Sequence, residues 1–220
     1  MIIRIFTFIL TLLLFAGLTY TVLSLPKQTK GLGETVSLQM HNSGVSNPVT
    51  AVLMNFRAYD TLLEMGVLFI ALLGVYSLST SQKEKKPLLQ SSVLKRLGGI
   101  LVPLLLLLSA YLLWIGAHAP GGAFQAGSIV SATGILIFLS GWKLDLSARH
   151  FFVRLLIGTS LLVFLLISAV TLFLSHTLLE FPPSYASAFI FLLEAAATVS
   201  IGVTLFHLFL SIFSQPKEEH

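Results

Sequence analysis

Six long apolar stretches, near residues 5–25, 62–79, 97–117, 124–142, 155–174 and 185–213, take up most of this 220-residue chain. Each is close to the roughly 20 residues that an α-helix needs to cross about 30 Å of hydrocarbon. Inside lipid every backbone N–H and C=O must be satisfied within its own segment, so each stretch is predicted to be a helix. The expectation is an all-α integral membrane protein of about six transmembrane helices. Composition agrees: 55% of the residues are hydrophobic and 10% are charged. Mean hydropathy is +0.92, too apolar for a surface that must face water. The spans leave no length for a separate soluble catalytic domain. The first stretch begins like a secretory signal, but Leu25-Pro26-Lys27-Gln28 is a poor small-residue cleavage site. We read it as a retained first helix.

Several function classes fall away. No Cys occurs, which removes disulfides, thiolate nucleophiles, Cys-ligated iron–sulfur clusters and Cys-type zinc sites. No cofactor is expected, and any redox chemistry would belong to partners. The net charge of +4 comes from Lys and Arg in short loops between apolar stretches, which reads as membrane topology and not as a nucleic-acid surface. No paired His and no His/Glu set at ligand spacing points to a metal, so His118 and His207 read as hydrogen-bonding residues. With no nucleophile–base pair and no phosphate-cradling glycine loop, an enzyme is not expected.

The charges also orient the chain. Lys83, Lys85, Lys86, Lys95 and Arg96 stand against the single acid Glu84, and Lys143, Arg149 and Arg154 form a second basic group. Both are expected to be cytoplasmic, which puts both termini inside and residues 26–47, 119–122 and 175–184 outside. Lys27 and Lys30 run against that rule. Residues 31–48, rich in Gly, Ser and Asn, read as a surface loop. The basic segment divides the chain into a two-helix part (1–81), a linker (82–96) and a four-helix part (97–220). No internal repeat is visible, which favours a component of an assembly over a complete carrier.

Ionizable residues near the membrane are the candidate site. Arg57, Asp60 and Glu64 fall within about 60° of one another on a single helix. From Pro48 onward the chain is too long for one span, so we expect an interfacial helix, a bend near Asp60 and then the spanning helix. Glu64 would then lie just inside the boundary with Arg57 as its neutralizing partner, either as a titrating element or as an anchor. Asp60 reads as an anchor. Glu194, about ten residues into the last apolar stretch, sits near mid-bilayer, where a carboxylate costs at least about 2.5 kcal/mol by insertion scales. Its neighbours Ala195, Ala196, Ala197, Thr198, Ser200 and Gly202 are small, as at close helix contacts. We read Glu194 as a proton or sodium relay, with a buried structural hydrogen bond as the alternative. Pro120-Gly121-Gly122 marks a sharp turn, and Gly127, Ser131 and Gly134 give the fourth span a small-residue packing face.

Two stretches carry a family resemblance. Residues 118–127, His-Ala-Pro-Gly-Gly-Ala-Phe-Gln-Ala-Gly, follow a leucine-rich helix. With Pro120, Gly121, Gly122, Phe124 and Gly127 in a four-helix context, the back part resembles the B-type subunit of the Mrp-type multisubunit sodium/proton antiporters. Residues 56–64, Phe-Arg-Ala-Tyr-Asp-Thr-Leu-Leu-Glu, resemble the C-terminal tail of the large A-type subunit of the same antiporters. That tail is a separate small E-type subunit in membrane-bound hydrogenases. The family has glycines where this chain has Ala58, Leu63 and Ala123, and an Asp beside Phe where it has Leu193-Glu194. The resemblance implies a non-redox subunit of a complex that exchanges sodium for protons, related to the membrane arm of complex I. Its expected partners are the other subunits, the lipid bilayer of a bacterial or archaeal plasma membrane, and sodium ions and protons as transported species. By resemblance Arg57, Asp60, Glu64 and Glu194 match the family's charged positions. A scaffold subunit of a membrane-bound hydrogenase or another redox-driven pump is the alternative.

Overall fold

The computed structural model describes residues 2–25, 31–78, 92–142 and 151–212. The expected basic linker segment around Lys83–Lys86, and the second basic group up to His150, lie outside these residues. Every regular element described is helical: α1 (Ile2–Ser24), α2 (Gly33–Gln39), a 3-10 turn (Met40–Asn42), α3 (Pro48–Ala51), a π turn (Val52–Phe56), α4 (Ala58–Leu78), α5 (Ser92–Ile115), α6 (Ala123–Leu139), α7 (Phe151–Ser175) and α8 (Ala186–Ile212). No strand occurs among the described residues.

Five of these helices, α1, α4, α5, α7 and α8, are long and apolar enough to cross a membrane. The sixth expected span, α6, is 17 residues long, about 25 Å at 1.5 Å per residue. Glycine chemistry cuts it short at both ends. Gly122 precedes it at φ 105°, and Gly141 follows it at φ 73°, the left-handed conformation that closes helices.

The chain divides into two units, residues 1–35 and 36–220. In the first, α1 is apolar on all sides and exposes its described side chains, as a lipid-facing helix does. In the second, α8 is the central helix. In its apolar window 61% of residues are buried, against 17% to 28% for α4, α5 and α7. It packs on α6, α7 and α4, and Ile190, Leu193, Ala197 and Ile201 join Met54, Ala58, Met65, Phe164 and Ile167 in one core.

Small residues let α6 approach α8 closely, as the sequence predicts. A Cβ added to Gly127 would lie 2.8 Å from the Ile201 Cβ, one at Gly202 would lie 2.6 Å from a Val130 methyl, and one at Gly134 would lie 3.0 Å from the Phe206 ring. Ser131 is buried in the same seam. Between α7 and α8, the Ser200 hydroxyl donates to the Ile157 carbonyl.

Two expectations need correction. Residues 31–48 do form no span, but they hold α2 and the 3-10 turn instead of being loop throughout. The bend before the second span falls at Arg57, not near Asp60. Arg57 leaves helical geometry at φ −129°, ψ 36°, after a π turn in which one extra residue has shifted the hydrogen-bond ladder.

Candidate functional site

The site is built where the interrupted segment 46–61 meets the Pro-Gly-Gly turn. Helix α5 ends at Ile115, and the carbonyls of Gly116, Ala117 and Ala119 just beyond it have no helical partners. Segment 46–50 supplies those partners. The Ser46 and Asn47 N–H groups both donate to Ala117 O at 3.0 Å. The Asn47 amide donates to Gly116 O at 3.0 Å and to Ala119 O at 2.9 Å. Thr50 Oγ1 donates to Gly116 O at 2.6 Å. Asn47 Oδ1 meanwhile accepts the Val49 N–H at 3.1 Å, and Pro48 takes the first position of α3, where its missing N–H costs nothing. One side chain thus caps α3 and latches the front of the chain to the end of α5.

The turn itself is tight. Gly122 N–H returns to Leu112 O at 2.9 Å. A Cβ on Gly121 would lie 2.5 Å from Leu112 O, and one on Gly122 would lie 2.7 Å from Glu194 Oε1. The bare backbone of Gly122 therefore makes the space that the Glu194 carboxylate occupies. Glu194 is only 3% exposed. It accepts a hydrogen bond from the Ala123 N–H, one of the free donors in the first turn of α6. Beside it opens a cavity of about 80 Å3 lined by Thr50, Thr61, Gly122, Gln125 and Glu194, with Leu53 and Met54 from the π turn.

The other predicted charges lie elsewhere. Arg57 pairs with Asp60, and both are substantially exposed, 60% and 43%. Glu64 is exposed on α4, on a face it shares with Leu63 and Val67, both more than 60% exposed. The expected pairing of Arg57 with Glu64 does not form. The helical projection carried one phase through residue 57, whereas Arg57 is the residue at which the helix breaks. Phe124 is 37% exposed beside the turn, and Gly127 lies one turn along α6 in the α8 seam. His118 Nδ1 meets Ser46 Oγ at 3.0 Å. His207 is 1% exposed, with edge contacts to Tyr76 and Phe206.

Sequence reasoning did not single out Asn47, Thr50, Thr61 or Gln125. The Asn-Pro pair was a legible helix-start signal. Thr50 and Thr61 had none: Thr50 donates to a carbonyl 66 residues along the chain, and Thr61 Oγ1 donates to Leu53 O at 2.6 Å across a break that helical periodicity does not foretell.

Fold and site define a multi-pass helical membrane protein with a buried acid, Glu194, set against a glycine turn. The chain belongs to the family described as a domain related to the MnhB subunit of Na+/H+ antiporter, which matches residues 93–212. It is accordingly a membrane subunit of a cation/proton antiporter-like complex in the prokaryotic plasma membrane. Residues 4–91 match a second family, MbhE, the E-type subunit of MBH. Among solved structures, a chain of the membrane-bound sulfane sulfur reductase, an archaeal respiratory membrane complex, has 22% identity and a TM-score of 0.71 over 98% of this chain and 100% of that one. A chain of the Mrp complex from Dietzia sp. DQ12-45-1b has 21% identity and a TM-score of 0.68, over 94% of this chain and 25% of that one. At these identities the likeness is one of fold. The curated proteins include no match.

Proposed function

We propose that this chain is a non-redox subunit of a multisubunit sodium/proton antiporter, without catalytic activity of its own, and that Glu194 belongs to the ion path. The observation that carries this reading is the placement of Glu194. It is a carboxylate 3% exposed in the central helix, and it lines a small, largely apolar cavity that Thr50, Thr61 and Gln125 also reach. An acid held inside a spanning helix is costly, and such groups mark ion paths and proton relays. Glu64 is a second candidate: an acid on an otherwise apolar exposed face of a spanning helix calls for cover by a neighbouring protein of the complex. The Arg57–Asp60 pair acts as an anchor at the bend. The two basic segments and both termini face the cytoplasm in this reading, and the chain divides at residues 82–96.

A second reading, scaffold subunit of a membrane-bound hydrogenase or other redox-driven pump, is supported by the match of residues 4–91 to the E-type subunit of MBH. Cation/proton exchange in inverted vesicles carrying the whole complex tests between them, with wild type compared to Glu194→Gln at matched complex abundance. The ion-path reading expects exchange to be lost with the complex intact. Persistent exchange supports a scaffold.

A further inference from the structure

Resting on the ion-path reading of Glu194, we propose that the cavity beside it is a binding site for a partly hydrated monovalent cation. Its ligands are the Glu194 carboxylate and the oxygens of Thr50, Thr61 and Gln125.

The hydroxyl chemistry points to this. Thr50 commits its proton to Gly116 O at 2.6 Å, and Thr61 commits its proton to Leu53 O at 2.6 Å. A hydroxyl that has already donated presents only lone pairs to whatever lies beside it. The Gln125 Oε1 lies 4.0 Å from the place a Gly122 Cβ would take, and Glu194 Oε1 lies 2.7 Å from it, so both oxygens converge on the same bare backbone. Among the described residues the cavity lining includes no Lys, Arg or His. Val49, Leu53, Met54 and Phe124 make most of the lining apolar, and the carboxylate and spent hydroxyls set among them are the oxygen ligands that a hard cation takes.

Charge selects the class of ion. Glu194 is the one carboxylate in the lining, and among the described residues no three His, Cys, Asp or Glu side chains gather. One negative charge neutralizes one monovalent ion, whereas divalent sites draw several carboxylates. Size agrees: at about 10–15 Å3 of such space per water, a cavity of about 80 Å3 admits an ion with part of its hydration shell. The first turn of α6, with its positive end toward Glu194, opposes the cation. That opposition keeps binding weak, which suits a site that ions must leave as readily as they enter. One carboxylate that holds either a proton or a cation exchanges one for the other with no change of charge.

The test is the apparent KM for Na+ in exchange by the assembled complex, measured for Thr61→Val, Thr61→Ser and Gln125→Leu beside Glu194→Gln. Removing one oxygen ligand from a charged site is expected to raise KM about tenfold, with the maximal rate near wild type. Thr61→Ser, which keeps the hydroxyl, should restore it. Gln125 is exposed, so Gln125→Leu gives a readable result even where Thr61→Val fails to assemble. Loss of exchange in Glu194→Gln with KM for Na+ unchanged in Gln125→Leu and in any assembled Thr61→Val would overturn the cation site and leave a proton path through water. Exchange that survives Glu194→Gln overturns the ion-path reading itself.

Discussion

Replacing Gly122 by Ala separates two costs that the structure places on one atom. Gly122 adopts φ 105°, ψ −170°, a region essentially restricted to glycine, where another residue costs about 1–3 kcal/mol. The added methyl would also stand 2.7 Å from Glu194 Oε1, where ordinary contact begins at 3.4 Å. The carboxylate must therefore retreat by about 0.7 Å, weakening its hydrogen bond to Ala123, a further cost of about 1–2 kcal/mol. A double-mutant cycle with Glu194→Ala isolates the second part. Truncating the acid removes the clash but leaves the backbone strain, so the coupling should equal that about 1–2 kcal/mol. Reversible unfolding of the reconstituted protein in mixed micelles reads the four corners. A Gly122→Ala cost that is unchanged when Glu194 is truncated would refute the contact between them, and no cost at all would refute the turn geometry as well.

Three further outcomes follow from the same contacts. Asn47→Ala strips partners from Gly116 O and Ala119 O and uncaps α3, and should destabilize by about 2–4 kcal/mol; the same micelle unfolding checks it. Gly127→Ala places a methyl 2.8 Å from the Ile201 Cβ, which overpacks the α6–α8 seam by about 1–3 kcal/mol and should lower the yield of assembled complex on native gels. Arg57→Ala removes a pair that is 60% and 43% exposed, so its unfolding midpoint should move by less than about 1 kcal/mol equivalent.

Much of the architecture was readable from residue order. Helix positions in a membrane follow from apolar length, because lipid forces each segment to satisfy its own backbone. The predicted stretch 155–174 and the observed α7, Phe151–Ser175, accordingly differ by about a turn or less at either end. The glycine face of α6 was legible for a similar reason. Small residues at helical spacing can only mean close approach, and Gly127 and Gly134 meet α8 directly. A bend before the second span was legible from length, but not its place at Arg57, since a π turn depends on what the segment packs against. Its Leu53 carbonyl is taken by Thr61, a hydrogen bond that no periodicity announces. Helical projection therefore misassigned the partner of Arg57.

Sequence alone determined that the chain crosses a membrane, that Pro120-Gly121-Gly122 turns sharply, and that Glu194 is an acid where an acid is costly. Those conclusions rest on transfer free energies and backbone sterics, which belong to residues one at a time. Only the tertiary structure decided that Glu194 lies against Gly122, that Asn47 latches the front segment to the end of α5, and that two threonines with committed protons stand across a cavity from the acid. Such contacts join residues tens of positions apart, and they exist only once the helices have packed.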